Sequence, residues 1–190
     1  MRFSREELRA QQGRAVPDLV GPDLRLLFVG INPGLWTAAT QTHFAHPGNR
    51  FYPALLAAGI IEAPIDRGRG MTDAERAAFV ARGIGITNLV NRATAKASEL
   101  SRDELRAGAE RLARFVAARR PRVVAVAGLT AYRDAFARPK AAAGRQDESL
   151  AGAELWVVPN PSGLNAHHTT ATLAAAYRQP AQAAGIDLAT

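Results

Sequence analysis

The stretch LRLLFVGINPG, residues 24–34, decides the fold. Residues 24–31 form a nearly continuous apolar run, which is typical of a strand buried on both faces of a parallel sheet. The run ends in Asn32-Pro33-Gly34, where Asn-Pro favours a turn and glycine lets a ligand approach the backbone. We therefore predict a buried strand whose carboxyl end opens into a ligand-binding loop.

Similar runs recur along the chain and alternate with helical segments. Further strand candidates are residues 84–89, 123–127 and 155–158. The clearest helix is 102–120, where Ser101 and Glu104 form a capping box and Pro121 ends the helix. Helices of the same kind are predicted to start at Ser4 with Glu7 and at Thr72 with Glu75.

This alternation predicts an α/β fold, a single three-layer α/β/α domain over residues 1–190. Its central, mostly parallel sheet should have about four or five strands, with residues 1–22 as an N-terminal helical extension. We expect residues 139–152 to form a loop. A helix over 171–184 should break or end near Pro180, because proline cannot donate the next main-chain hydrogen bond.

Composition narrows the classes of partner and chemistry. Lys and Arg outnumber Asp and Glu by 24 to 17, a net charge of +7 that suits a polyanionic partner, although a basic surface alone has the same composition. The absence of cysteine excludes disulfides, thiolate catalysis and thiolate-bound metal clusters. The chain has neither the apolar core of a signal peptide nor a run long enough to span a membrane, so we expect a soluble intracellular protein.

Three loops should form the functional site. In open α/β sheets ligands bind beyond the carboxyl ends of the strands. Those ends are followed by residues 30–34, 88–96 and 159–165, and the first and last of these loops contain Asn-Pro with a glycine close behind.

Three motifs carry a resemblance to a known family. They are GINPG at 30–34, FAHPGNRF at 44–51 and NPSGL at 160–164. In order and spacing they resemble the mismatch-specific uracil/thymine DNA glycosylase family, of bacterial type, within the uracil-DNA glycosylase superfamily. The resemblance implies base flipping and hydrolysis of the N-glycosidic bond of uracil mispaired with guanine in double-stranded DNA, leaving an abasic site. Thymine and modified cytosines are further candidate substrates.

The resemblance also implies roles for the first loop and its neighbours. The Asn32 amide oxygen would orient the attacking water without acting as a strong base. Locally, Asn32 could equally form an Asx turn that closes the strand. Phe44 would stack on the extruded base, Gly30 and Ile31 would present backbone groups to it, and Asn160 would complete the pocket where relatives carry a catalytic histidine.

The NPSGL loop is implied to contact DNA. Ser162 and Gly163 would grip a phosphate or the opposite strand, and Leu164 would fill the space left by the flipped base, followed by Asn165. A leucine at this position could also be an ordinary apolar residue near a helix start. The family pattern often has an arginine nearby, and no arginine stands at 165–168.

The middle loop is a candidate secondary site. The family pattern continues Arg-Pro-Thr, whereas this chain has Arg92-Ala93-Thr94, followed by Lys96. Ala93 therefore removes either rigidity or a functional side chain, and its origin, native or introduced, stays open. Lys96 has no evident activation for Schiff-base chemistry, so a monofunctional enzyme is expected.

We expect no metal and no cofactor, because the chain has no HExxH, no P-loop and no complete dinucleotide fingerprint. The predicted partner is double-stranded DNA with a mismatched or damaged base, bound by a monomer in the bacterial cytoplasm at the nucleoid. Two other functions stay open. One is a catalytically weak or silent DNA-binding module of the same fold, and the other is a hydrolase of free nucleosides.

Overall fold

A five-stranded sheet forms the centre of the protein. The computed structural model describes residues 3–164 and 167–189. The strands are β1 Leu26–Gly30, β2 Ile84–Asn88, β3 Val123–Ala127, β4 Gly144–Leu150 and β5 Ala153–Val158. Their order is β2-β1-β3-β5-β4, in which only β4 runs antiparallel to its neighbour. The predicted mostly parallel sheet is confirmed.

Helices cover both faces of this sheet. They are α1 Arg5–Arg9, α2 Leu35–Thr40, α3 Phe51–Ala57, α4 Asp73–Ala81, α5 Arg102–Arg119, α6 Leu129–Ala135 and α7 Thr170–Ala183, with a 3-10 turn at Ala97–Glu99. The capping boxes predicted at Ser4, Thr72 and Ser101 are all present. In each one, the hydroxyl accepts a backbone N–H from the third residue of the helix.

Alternate residues of each strand build two cores, one on each face. Leu26 and Phe28 of β1 belong to the core that also contains residues of α3 and α7. Leu27 and Val29 belong to the core formed with α5 and α6. Because both faces of β1 are buried, its sequence is continuously apolar, and the three-layer arrangement predicted from that pattern is confirmed.

The loop predicted over residues 139–152 is wrong, because Gly144–Leu150 forms β4. Strand β4 pairs only with β5, at the edge of the sheet, and its residues alternate between half-buried and exposed. An edge strand with one solvated face carries polar side chains, so GRQDESL has no apolar run to identify it.

The break predicted near Pro180 is also wrong, since α7 continues through this residue to Ala183. Pro180 begins the last turn of the helix, where it removes the main-chain hydrogen bond to the Ala176 carbonyl without ending the helix. At the N-terminus, the helical part is limited to Arg5–Arg9, and Leu19 pairs with Ile86 of β2 as an isolated antiparallel bridge. Among the described residues, no helix is long and apolar enough to cross a membrane.

Candidate active site

A cavity of about 500 Å³ lies where the strands β1, β2, β3 and β5 end. The connection after β1 leads to β2 on one side, and the connections after β3 lead to β4 and β5 on the other side, as at the ligand sites of other open α/β sheets. All three loops predicted from the sequence contribute to the lining. Their contributions are Ile31, Asn32 and Gly34, then Asn88, Thr94 and Ala95, and finally Asn160, Ser162, Gly163 and Leu164.

Asn32 is held by its amide nitrogen. Its Nδ2 donates to the Arg92 carbonyl at 2.8 Å, to the Thr94 hydroxyl at 2.7 Å and to the Pro33 carbonyl at 3.1 Å. Carbonyl oxygens only accept, so the atom facing them must be the nitrogen of the amide. The Thr94 hydroxyl gives its own proton to the Lys96 carbonyl at 2.8 Å and must therefore accept from Asn32. The Asn32 side chain lines the cavity with its acceptor oxygen uncommitted to any described residue.

The loop that holds Asn32 is itself braced by an ion pair. The Arg92 guanidinium donates through Nε and Nη2 to one carboxylate oxygen of Glu104, at 2.9 and 2.8 Å. The Ser101 backbone N–H and then the Arg92 guanidinium hold the pKa of Glu104 below its usual range. The cap that begins α5 therefore also anchors the residue whose carbonyl orients Asn32.

Phe44 forms an aromatic wall of the cavity. Its backbone has φ 55°, a left-handed conformation that costs a bulky residue about 1–3 kcal/mol. The ring stacks on the buried Phe51 ring with centroids 4.1 Å apart and an interplanar angle of 27°. Phe51 thus supports Phe44 from behind, while Phe44 itself lines the cavity.

The lack of a side chain at Gly30 leaves room for two neighbouring side chains. It pairs in register with Asn88 of β2, and a Cβ at Gly30 would lie 2.5 Å from Asn88 Oδ1 and 3.2 Å from Phe44 Cζ. The carbonyls of Gly30 and Ile31 already accept from the backbone N–H groups of Leu89 and Val90. Gly30 therefore lets Asn88 and Phe44 approach one another beside the cavity, and Ile31 lines it.

Asn88 is a cavity residue that sequence reasoning did not select. It is the last residue of β2, is buried and lines the cavity. Its one local signal is a polar amide that ends an apolar strand, which is the same signal that identified Asn32.

The NPSGL loop is clamped to the loop that carries Phe44. Arg50 donates to the His168 carbonyl at 2.6 Å and to the Ser162 carbonyl at 3.1 Å, and its backbone N–H donates to the Pro161 carbonyl. A Cβ at Gly163 would lie 2.6 Å from the Gly48 carbonyl oxygen, so only glycine permits this approach of the two loops. Arg50 therefore braces the two loops against each other.

Asn160 and Leu164 occupy opposite ends of that loop. Asn160 Oδ1 accepts the Ser162 backbone N–H at 2.9 Å, an Asx turn that fixes the start of the loop. Behind it, the Tyr177 hydroxyl donates to the Pro159 carbonyl at 2.9 Å, and burial raises the pKa of Tyr177 so that it remains a donor. Leu164 is 93% exposed, an unusual state for a large apolar side chain.

The remaining predicted site residues lie apart from the cavity or outside the described residues. Ala93 is 0% exposed and packs with Val16 and Ala38, so its methyl group faces a small core and not the cavity. Lys96 is exposed and does not line the cavity, although its carbonyl holds Thr94. Asn165 lies outside the described residues.

Among the residues that the structure describes, the cavity lining is rich in amides and has no carboxylate. Among the described lining residues, the amides are Asn32, Asn49, Asn88 and Asn160, and none is Asp, Glu, Lys or Arg. His46 lines the cavity too, and its Nδ1 accepts the Gly48 backbone N–H at 3.1 Å. Within the described ranges, no group of three His, Asp or Glu side chains could hold a metal ion. Such a site can bind a planar polar ring and orient a water molecule, but offers no strong base.

Fold and cavity together define an α/β/α protein whose ligand site lies beyond the carboxyl ends of parallel strands. A family model of the Uracil DNA glycosylase superfamily matches residues 17–182. The chain belongs to this superfamily. Its fold is also similar to the solution NMR structure of a candidate uracil DNA glycosylase from Methanosarcina acetivorans, with a TM-score of 0.58 over 88% of this chain and 97% of that chain. The two sequences are 17% identical, so this likeness concerns the fold alone.

Proposed function

We propose that this protein is a monofunctional DNA glycosylase of the mismatch-specific uracil/thymine type. It removes uracil mispaired with guanine from double-stranded DNA and leaves an abasic site, with thymine and modified cytosines as further candidate substrates. Membership of the superfamily supports the reaction class. The single observation that carries the proposal is the orientation of Asn32, whose amide nitrogen is fixed by the Arg92 and Thr94 oxygens.

The cavity suits a pyrimidine turned out of the duplex. A base must leave the helical stack before an enzyme can reach its glycosidic bond. In the proposed complex the base stacks on Phe44, which the buried Phe51 ring keeps in place. The Asn88 amide at the end of β2 offers the donor and acceptor that the edge of a pyrimidine requires.

Asn32 then directs the water. An O–H of the water donates a hydrogen bond to Asn32 Oδ1, and the water oxygen attacks C1′ of the deoxyribose as the bond from C1′ to the base breaks. The bonding electron pair leaves on the base, and the water proton passes to the base or to solvent. Because an amide is not a strong base, the contribution of Asn32 is orientation, and the sugar must already carry much of the positive charge.

Leu164 supports the DNA side of the proposal. Its side chain is almost fully exposed at the tip of a loop that Arg50 holds next to the cavity. An apolar side chain in this position can fill the gap left in the stack, at a cost in unstacking that a G·U mismatch reduces. We propose that the protein acts in this way as a monomer.

The absence of a carboxylate from the described cavity lining favours one alternative, a weak or silent DNA-binding module of the same fold. An excision assay distinguishes the glycosylase from the binding module. A labelled duplex with one G·U pair is incubated with the protein, and alkali cleavage reports abasic sites. Asn32→Ala should slow excision roughly 100-fold, because a misplaced water loses the benefit of orientation.

Gln179→Ala removes an exposed amide from α7 and is the matched control, which should leave the rate unchanged. An intact duplex after incubation with the unmodified protein would rule out the glycosylase and leave the binding module and the hydrolase of free nucleosides. Equal rates for Asn32→Ala and the unmodified protein would remove Asn32 from the mechanism but not the activity.

A further inference from the structure

His43 is a buried histidine next to the cavity that the proposed mechanism does not use. Its side chain is enclosed, with the residue 2% exposed, and it does not line the cavity. Nε2 lies 2.9 Å from the Pro17 carbonyl oxygen, and Nδ1 lies 3.2 Å from Nδ2 of Asn88. The ring therefore connects the segment before β1 to the amide at the end of β2.

The two contacts determine where the protons are. The Pro17 carbonyl only accepts, so Nε2 of His43 must carry a hydrogen. In a neutral ring the other nitrogen, Nδ1, is then an acceptor, and Asn88 donates to it through Nδ2. Turning the Asn88 amide over would place its oxygen against the lone pair of Nδ1, which costs a hydrogen bond and adds a repulsion.

The surroundings keep this ring neutral. Burial is the largest effect and lowers the pKa of His43, and the nearby positive charge of Arg76 acts in the same direction. The Pro17 carbonyl and the carboxylate of Asp18 oppose it. The Asp18 carboxylate also accepts a hydrogen bond from the Thr87 hydroxyl at 2.6 Å.

We propose that His43 is a positioning residue that selects the class of pyrimidine through Asn88. By accepting from Nδ2 it holds the amide in one of its two orientations, with Oδ1 directed to the side of Gly30, where a Cβ would lie 2.5 Å away. In a single orientation, the Asn88 amide presents its acceptor oxygen and its donor nitrogen to the base in a fixed order. That order distinguishes a pyrimidine with N3–H and a 4-oxo group, such as uracil or thymine, from cytosine, where donor and acceptor are exchanged.

This inference rests on the proposed function, because it assigns the specificity of the same cavity. It goes further by giving a role to a residue that touches neither the base nor the sugar. Free rotation of Asn88 would offer either order, so the amide alone could not reject cytosine. The specificity therefore lies in the pair His43–Asn88.

Two substitutions at position 43 separate the contacts. His43→Asn places an amide oxygen near the position of Nδ1 and keeps an acceptor for Asn88. His43→Gln reaches the Pro17 carbonyl with its amide nitrogen but leaves Asn88 without its acceptor. Both are neutral and polar, so they form a matched pair, and thermal unfolding verifies that each is folded.

Single-turnover excision from a G·U duplex is measured for both variants with and without Asn88→Ala. His43→Gln should slow excision about tenfold, as expected for one hydrogen bond, and His43→Asn should retain most of the rate. In the Asn88→Ala background His43→Gln should have no further effect, because the residue it acts through is gone. Equal losses in both backgrounds, or equal losses for the two substitutions, would overturn the proposal.

A measurement on the unmodified protein is independent of activity. Long-range ¹H–¹⁵N spectra distinguish protonated from unprotonated ring nitrogens, and His43 should have a bare Nδ1 at neutral pH. A protonated Nδ1 would overturn the proposal even if every variant fails to fold. If the spectra agree but the unmodified protein excises no uracil, the proposed function fails while the orientation of Asn88 stands.

Discussion

At the scale of single residues, the structure explains why position 32 carries an amide and not an acid. Three protein oxygens surround Nδ2 of Asn32, and two of them are carbonyls that cannot donate. A carboxylate would direct an oxygen at those two carbonyls and lose both of these bonds. Asparagine is therefore less basic than aspartate would be, but the orientation of its remaining acceptor, Oδ1, is fixed.

Asn32→Asp tests this argument, because a simple comparison of basicity predicts a faster enzyme. We expect no gain in single-turnover excision and a loss of about 1–3 kcal/mol in the free energy of unfolding, from the unmade bonds to Arg92 and Pro33. Urea unfolding measures the stability. Asn49→Asp is a control for stability alone, since Asn49 accepts the Phe51 backbone N–H through Oδ1 and a carboxylate can do the same. A faster and equally stable Asn32→Asp variant would contradict the argument.

The buried His43 gives stability a dependence on pH. Its pKa in the folded protein is lowered from 6.5 by burial, with Asp18 and Arg76 as the charged groups around it. As pH falls below about 6.5, the unfolded chain takes up a proton before the folded protein does, so the free energy of unfolding decreases. Urea titrations between pH 7.5 and pH 5 should show this decrease. In His43→Asn the free energy of unfolding should change less with pH over the same range. An unchanged slope would mean that other groups cause the pH dependence.

Local sequence predicted some site residues and missed others for a physical reason. Asn32, Phe44 and Leu164 stand in short motifs that are read along the chain. Asn88 and His43 are in hydrogen-bond contact although 45 residues separate them, and the register of β2 against β1 is what places Asn88 beside the cavity. No local pattern encodes a cross-strand register. Ala93 is the opposite case. Its position in a motif made it a candidate site residue, but its methyl group is buried in a small core.

At the scale of elements, the apolar strands were predictable and the polar one was not. Strands β1, β2, β3 and β5 are buried, so hydrophobicity along the chain identifies them. Strand β4 is held by pairing to β5 at the edge, and that pairing is a property of the assembled sheet. The site depends on the predictable strands, since many of the described residues that line the cavity end β1, β2, β3 and β5 or follow them directly.

Arg50 joins two of these loops, and the geometry of its side chain is essential to that role. One guanidinium donates to the carbonyl of Ser162, within the NPSGL turn, and to that of His168, after it. Arg50→Lys keeps the charge but has one ammonium group, which cannot reproduce the planar fork. We expect single-turnover excision to fall about tenfold, because the loop carrying Leu164 loses a hydrogen bond, while salt-dependent binding to undamaged duplex stays unchanged. Arg106→Lys on the exposed face of α5 is the control, and equal excision by both variants would rule out the clamp.

At the scale of the whole molecule, the net charge of +7 overstates the number of cations available to DNA. Several arginines point their donors into the protein. Arg25 donates to the carbonyls of Gly185 and Arg82, Arg82 donates to the Asp187 carbonyl, and Arg111 donates to the carbonyls of Asn88 and Leu89. These contacts fix the C-terminal segment and the end of β2. A guanidinium engaged in this way has fewer N–H donors left for a phosphate.

The salt dependence of binding therefore separates the candidate functions. Each neutralised phosphate adds about −0.9 to the slope of log K against log salt, so a contact with roughly four to six phosphates gives a slope near −4 to −5. Between about 50 and 200 mM salt, affinity for a G·U duplex should fall roughly 10²- to 10³-fold. Fluorescence anisotropy with a labelled duplex measures this slope, and hydrolysis of free deoxyuridine over the same salt series is the comparison. A hydrolase of free nucleosides would show a flat response in both assays, because its substrate carries no phosphate, whereas a DNA glycosylase should release base only from the duplex and lose affinity steeply.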